Sequence, residues 1–150
     1  MEKHQSELAK YAQISQVCAC FNLRKASRAV TQLYDKVLQP SGLLATQFTL
    51  LSAIALTGSV TITRLAQELV MDRTTLARNL KPLERQGLIE IKPGQDQRTR
   101  IVTLTAAGRE ALAKAIPLWE QAQAHVVEGL GQKRWSALLL DLADTVVVTY

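Results

Sequence analysis

The sequence predicts an α+β fold, mostly α, in which a short pair of helices and a β-hairpin form the middle of the chain and long helices flank it on both sides. Three observations predict it. From Thr61 to Leu104 the apolar residues recur first at helical spacing and then in alternation. Apolar residues at intervals of three and four also run from Ile14 to Leu38 and beyond Thr105. Clusters of breakers mark the joints, at Gln39-Pro40-Ser41-Gly42, Thr57-Gly58-Ser59, Pro93-Gly94 and Gly129 to Gly131.

In chain order, residues 1 to 13 are polar and read as frayed or only partly helical. Ile14 to Leu38 reads as one long helix, with Leu23, Ala26, Val30, Leu33 and Val37 on its apolar side and Arg24, Lys25 and Arg28 on other faces. Ala45 to Leu56 follows as a second apolar helix with Phe48, Leu51, Ile54 and Ala55 inward. Ile62 to Leu69 places Leu65, Ala66 and Leu69 on one side, and only Val70, Met71 and Asp72 separate it from the next helix. That is a helix-turn-helix spacing; many such turns hold Gly where Val70 stands, so a blunter turn is expected. Asp72 is suited to cap the helix beginning at Arg73, and Pro82 is expected to bend or end it.

Gly87 stops that helix, and Leu88 to Lys92 and Ile101 to Leu104 alternate as strands about a turn opened by Pro93, Gly94 and Gln95. Thr105 caps a long helix with Leu112, Ala115, Ile116, Trp119, Val126 and Leu130 on its apolar side and a kink expected at Pro117. Trp135 to Val147 forms the last helix. The end helices carry more apolar surface than a core of 45–104 can cover. A single domain over 1–150 is therefore expected, with 14–38 and 105–150 as dimerisation helices.

At 150 residues, 47% hydrophobic and 21% charged, the chain can bury a core and is unlike disordered sequences. No apolar run approaches the roughly 18 residues of a bilayer span, and the amino terminus lacks an apolar signal core, so a cytoplasmic protein with no membrane partner is expected. Cys18 and Cys20 are too few for a secreted disulfide framework and should be reduced at rest. The net charge of +5 is unevenly placed: residues 64–104 hold eight Lys or Arg against five acids, 24–36 four against one, and 105–150 four against five. One side of the molecule therefore suits a polyanion. His4 and His125 stand alone, and neither a P-loop nor a dinucleotide glycine pattern occurs, so no enzyme activity, cofactor or metal site is expected.

On the helix from Arg73, Leu76, Leu80 and Leu83 share one narrow face, while Thr74, Arg78, Lys81 and Arg85 share the opposite one. Hydroxyls and cations without acids suit phosphates and guanine edges, because Arg donates two hydrogen bonds to guanine and Thr can bond a base or touch a thymine methyl. Arg73, Thr74, Thr75, Arg78 and Lys81 are the candidate DNA-binding residues of this helix. At the hairpin tip, Arg98 and Arg100 suit the negative potential of a minor groove, with Asp96 expected to orient Arg98 by a hydrogen bond.

These residues resemble the MarR family of winged-helix transcription regulators. The resemblance is carried by Leu65-Ala66, the run RTTLARNLKPLERQGLI, the D-x-R of Asp96 and Arg98, and the LT-x-x-G of Leu104, Thr105 and Gly108. It implies a winged helix-turn-helix DNA-binding core and a homodimer that represses transcription from a pseudo-palindromic operator. The partners implied are double-stranded DNA, a second copy of the chain, and an oxidant or small-molecule effector.

Cys18 and Cys20 fall near the start of the first long helix, where Arg24, Lys25, Arg28 and the helix start favour the reactive thiolate form. Residues two apart on a helix point about 200° apart, so a disulfide between them would have to unwind the first turn. The resemblance adds that some MarR-family peroxide sensors carry a reactive cysteine here, followed by a tyrosine at an interval like that from Cys20 to Tyr34. A second tyrosine of such sensors corresponds to Ala45. Three other readings stay open. The cysteines can be structural; a phenolic or drug-like ligand bound between the first two helices and the DNA head can be the effector; or the winged helix can serve protein contacts without DNA, against which stands the cationic face of Thr74, Arg78 and Lys81.

Overall fold

The computed structural model describes residues 2–150, so of the stretch expected to fray only Met1 lies outside it. That stretch is helical: α1 spans Glu2–Val17 and α2 spans Ala19–Leu38. The single helix expected from Ile14 is thus two, broken at Cys18. Its backbone is extended (φ −69°, ψ 117°), and its Sγ accepts a hydrogen bond from the Phe21 N–H at 3.5 Å, the capping place usually held by Ser or Asp. The break is one residue wide. The Cys18 N–H still donates to the Ile14 carbonyl and its own carbonyl accepts from Asn22, whose side-chain amide also bonds the carbonyls of Ser15 and Cys18.

A 3₁₀ turn at Gln39–Ser41 and left-handed Gly42 (φ 78°) lead to α3, Ala45–Thr57. The Asp35 carboxylate accepts from the Ala45 N–H at 2.7 Å, and Gln47 Oε1 accepts from the Leu44 N–H at 3.0 Å, so two free amides at the start of α3 are satisfied. Leu50, Leu51 and Ile54 are the buried residues of α3, and Ala55 is exposed rather than inward. One residue past Ile54 is about 100° around the helix, enough to carry it to the solvent side.

The middle of the chain follows as β1 (Ser59–Thr61), α4 (Ile62–Glu68), α5 (Arg73–Arg85), β2 (Ile89–Pro93) and β3 (Arg100–Leu104). The antiparallel sheet has the order β1-β3-β2, with Val102 of β3 opposite Val60 on one side and Ile91 on the other. Helix α6 (Ala106–Leu130) and helix α7 (Gln132–Thr149) complete the chain. Leu38, Leu51, Ile54, Leu65, Leu76, Leu80, Leu83 and Val102 are fully buried together, which seats α4 and α5 against α3 and the sheet. Each such side chain contributes roughly 1.5–3 kcal/mol through burial, so the orientation of α5 is held from beneath. Ile116, expected inward on α6, is 42% exposed.

The helix-turn-helix turn is not blunted by Val70. Its φ of 53° is left-handed, the only positive φ at a non-glycine among the described residues. The Val70 N–H donates to the Gln67 carbonyl and the Met71 N–H to that of Ala66, a Schellman ending. Helix α5 ends the same way on Gly87 (φ 70°), with Gly87 bonded to Glu84 and Leu88 to Leu83. A β-branched residue held left-handed carries about 1–2 kcal/mol of strain. Val70→Gly is therefore expected to raise unfolding free energy by up to about 1 kcal/mol after the entropic cost of glycine, read as a higher denaturant midpoint.

Neither interior proline ends its helix: α5 runs past Pro82 to Arg85, and α6 past Pro117 to Leu130. The carbonyls left without their usual donor belong to Arg78 and Ala113, both exposed residues that water can reach.

Candidate nucleic-acid interface

Helix α5 begins with a built cap. Asp72 Oδ1 accepts from the Thr75 N–H at 2.8 Å and Oδ2 from the Thr75 hydroxyl at 2.5 Å. The Thr75 hydroxyl and amide hold the Asp72 carboxyl below its ordinary range, so the cap stays anionic where the amides point. Thr75 therefore differs from its neighbours: its proton is engaged at the cap, and only lone pairs remain for a partner.

Beyond the cap, the structure brings the expected residues together. Ile62, Arg73, Thr74, Ala77, Arg78 and Lys81 line one shallow groove. Beside it, Thr61, Ile62, Thr63, Arg73, Arg98, Thr99 and Arg100 line a second, so Arg73 joins the helix to the hairpin tip. The two ion pairs among the described residues are Arg64–Glu68 at 3.0 Å and Lys92–Glu90 at 2.9 Å. Arg73, Arg78, Lys81, Arg98 and Arg100 are in neither, which leaves an exposed set of cations without an ion-pair partner among the described residues.

At the hairpin tip, the hydrogen bond between Asp96 and Arg98 runs through the backbone and not the guanidinium. Asp96 Oδ1 accepts from the Arg98 backbone N–H at 3.0 Å, while the Thr99 N–H donates to the Asp96 carbonyl and the Gly94 N–H to the Thr99 carbonyl, each at 2.8 Å. The carboxylate sets the loop backbone and leaves the arginine side chain free, as an Asx turn does. Sequence reasoning missed Thr61 and Thr63 on this surface. Thr61 caps α4, its Oγ1 accepting from the Arg64 N–H at 3.2 Å. A Thr directly before an apolar-periodic run was the available signal.

The thiol candidates lie apart from this face. Cys18 is half-buried and Cys20 exposed, both unbonded to one another. Tyr34 stands about 21 Å further along α2 at the usual helical rise, where its hydroxyl donates to Gln123 Oε1 at 2.6 Å. Burial raises the Tyr34 phenol above its ordinary value. Within one chain the cysteines and Tyr34 are therefore not one site. Tyr34 instead borders a cleft of about 610 Å³ between α2, α3 and α6, shared with Val30, Thr31, Phe48 and Trp119. The Phe48 and Trp119 rings stack there, 6.2 Å apart and 17° from parallel.

The MarR family model matches residues 41–99. The organic hydroperoxide resistance transcriptional regulator of Bacillus subtilis (strain 168) is 30% identical over 100 residues, which is 66% of this chain and 68% of that protein. The chain belongs to the MarR family. Among solved structures, the M. tuberculosis transcriptional regulator MosR in complex with DNA is 43% identical, with a TM-score of 0.79 over 85% of this chain and 92% of that one. The transcriptional repressor CouR bound to a 23-mer DNA duplex is 27% identical, with a TM-score of 0.80 over 89% of this chain and 95% of that one. This MarR-family chain is a DNA-binding transcription regulator with a winged helix-turn-helix fold, mostly helical around a three-stranded sheet. Among its described residues no single helix is long and apolar enough to cross a membrane.

Proposed function

We propose that this MarR-family regulator is a homodimeric repressor that binds a pseudo-palindromic operator through α5 and its wing, and is released when Cys18 and Cys20 are oxidised. In this reading Arg73, Thr74, Arg78 and Lys81 enter the major groove. Thr75 holds the cap, and Arg98 and Arg100 reach the minor groove on the backbone turn that Asp96 sets. The repressor role is supported by the likeness to CouR, and an oxidant effector by the likeness to the hydroperoxide resistance regulator.

The observation that carries the switch is the helix break at Cys18. A bond from Cys18 to Cys20 need not unwind a regular helical turn, because Cys18 already has extended backbone. A hydroperoxide oxidises the Cys20 thiol to sulfenic acid and leaves as the alcohol; the Cys18 thiol then attacks that sulfur, expelling water and closing the disulfide. Closure removes the Sγ acceptor of the Phe21 N–H and so loosens the start of α2. A tenfold loss of operator affinity needs only about 1.4 kcal/mol of coupling.

The test is operator affinity before and after mild peroxide, with thiol state read by mass spectrometry. Wild type should weaken at least tenfold and form the intrachain disulfide. Cys20→Ser should bind normally and ignore oxidant; Cys18→Ser should acquire a sulfenic acid but no intrachain bond. Unchanged affinity at full oxidation contradicts the switch. The second reading, release by a small phenolic or drug-like ligand, is supported by the 610 Å³ cleft with its stacked Phe48 and Trp119 and the Tyr34 hydroxyl.

A further inference from the structure

We infer that Arg24 and Arg28 of α2, with Ser27 beside them, form a second DNA contact that grips backbone phosphates next to the recognition helix. The inference rests on the DNA-binding reading of α5. Four residues apart, Arg24 and Arg28 lie on one helix face, where like charges weaken an isolated helix. Both are exposed, and among the described residues neither makes an ion pair. The acid nearest them on α2 in the downstream direction, Asp35, is engaged with the Ala45 N–H at 2.7 Å. Two guanidinium groups held together without a counter-charge call for an anion from outside the chain.

Their position says which anion. Leu23, Arg24, Ser27, Arg28 and Val70 line a groove of about 810 Å³. Val70 belongs to the turn that leads into α5, and Arg73 of the cationic face follows three residues later. Three residues of chain reach at most about 10 Å, so the groove adjoins the face that meets DNA. Guanidinium forks and a serine hydroxyl donate well to phosphate oxygens. The other walls, Leu23 and Val70, offer no group that would read a base edge. The contact should therefore add affinity without sequence preference.

The test uses the full chain carrying Arg24→Gln and Arg28→Gln together, on the duplex that wild type selects from random DNA. The slope of log Kd against log salt should fall in magnitude by about 3–4, since each protomer of the dimer loses two phosphate contacts and each contact removes about 0.9. Affinity should drop about tenfold at low salt, with the gap closing as salt rises, and base preference should not change. Arg24→Lys with Arg28→Lys should keep most of the slope, because the charge is what acts. Inorganic phosphate at matched ionic strength should not compete beyond a chloride control.

An unchanged slope would overturn the inference. So would specific competition by inorganic phosphate, which would make this a small-anion site. A Gln variant that sediments as monomer where wild type is dimeric would overturn it too, placing the arginines against acids of a second copy. Arg78→Ala, run in parallel, changes base preference if α5 reads DNA, so a failure of that reading is seen separately from the slope.

Discussion

Removing residues 132–150 is expected to cost this MarR-family regulator about 10²–10⁴-fold in apparent operator affinity while leaving its affinity for an isolated half-site nearly unchanged. The expectation starts from uncovered apolar surface. Leu138, Leu139, Leu140, Val146, Val147 and Val148 on α7 are all exposed, and so are Leu8, Tyr11, Ile14, Val17 and Phe21 on α1 and the start of α2. Monomeric proteins rarely leave contiguous apolar area on this scale to water. A second copy, related by a twofold axis, would cover both faces at once. Two heads joined this way would bind one DNA with the second contact made intramolecular, which would supply the added affinity of a full site. Sedimentation and titration of full-site and half-site duplexes measure it. A truncated chain that still sediments as a dimer, or a full-length chain that is monomeric when it binds, would contradict it.

Gly108→Ala is expected to destabilise the fold by about 3 kcal/mol, at the upper end of what overpacking costs. The added Cβ would lie 1.9 Å from the Leu88 carbonyl oxygen and 2.9 Å from its carbon. That oxygen is backbone and already accepts from the Thr105 N–H at 3.1 Å, so it cannot step aside. Thr105 ties the same corner twice more, donating its hydroxyl to the Gly87 carbonyl at 2.6 Å and accepting from the Gly108 N–H at 3.0 Å. The whole start of α6 would have to back away from the end of α5 and the start of β2. For a chain of this size 3 kcal/mol is a fall of roughly 6–12 °C in Tm. A loss under about 0.5 kcal/mol would mean that the corner yields more than its bonds suggest.

Much of this was readable in the residues because α5 and the hairpin are amphipathic in the plainest way. Leu76, Leu80 and Leu83 are buried, and Thr74, Arg78 and Lys81 are exposed on the other side. What escaped reading was either a local bond that outweighed a pattern or an element too short to carry one. The break at Cys18 leaves the apolar rhythm intact, since the ladder on each side closes across one residue. Strand β1 is three residues long, too short for alternation to show. Val70 takes the glycine conformation because two Schellman bonds and the short link to Asp72 demand it. Pro82 and Pro117 are accommodated where the carbonyls they orphan belong to exposed residues, Arg78 and Ala113. The spacing of Asp96 and Arg98 shows that the two can bond, and the structure adds that the bond is to the Arg98 backbone N–H.

The claim that matters most is that α5 of each protomer reads the major groove with Arg78 at its centre. Methylation interference at guanine N7, which lies in the major groove, tests it directly on a duplex selected from random DNA. The predicted result is two clusters of interfering guanines about one helical turn apart, roughly 10–10.5 bp, with Arg78→Ala losing interference at the matching guanine in both and about 1–3 kcal/mol of affinity. Interference absent, confined to one cluster, or left intact in Arg78→Ala, would contradict it.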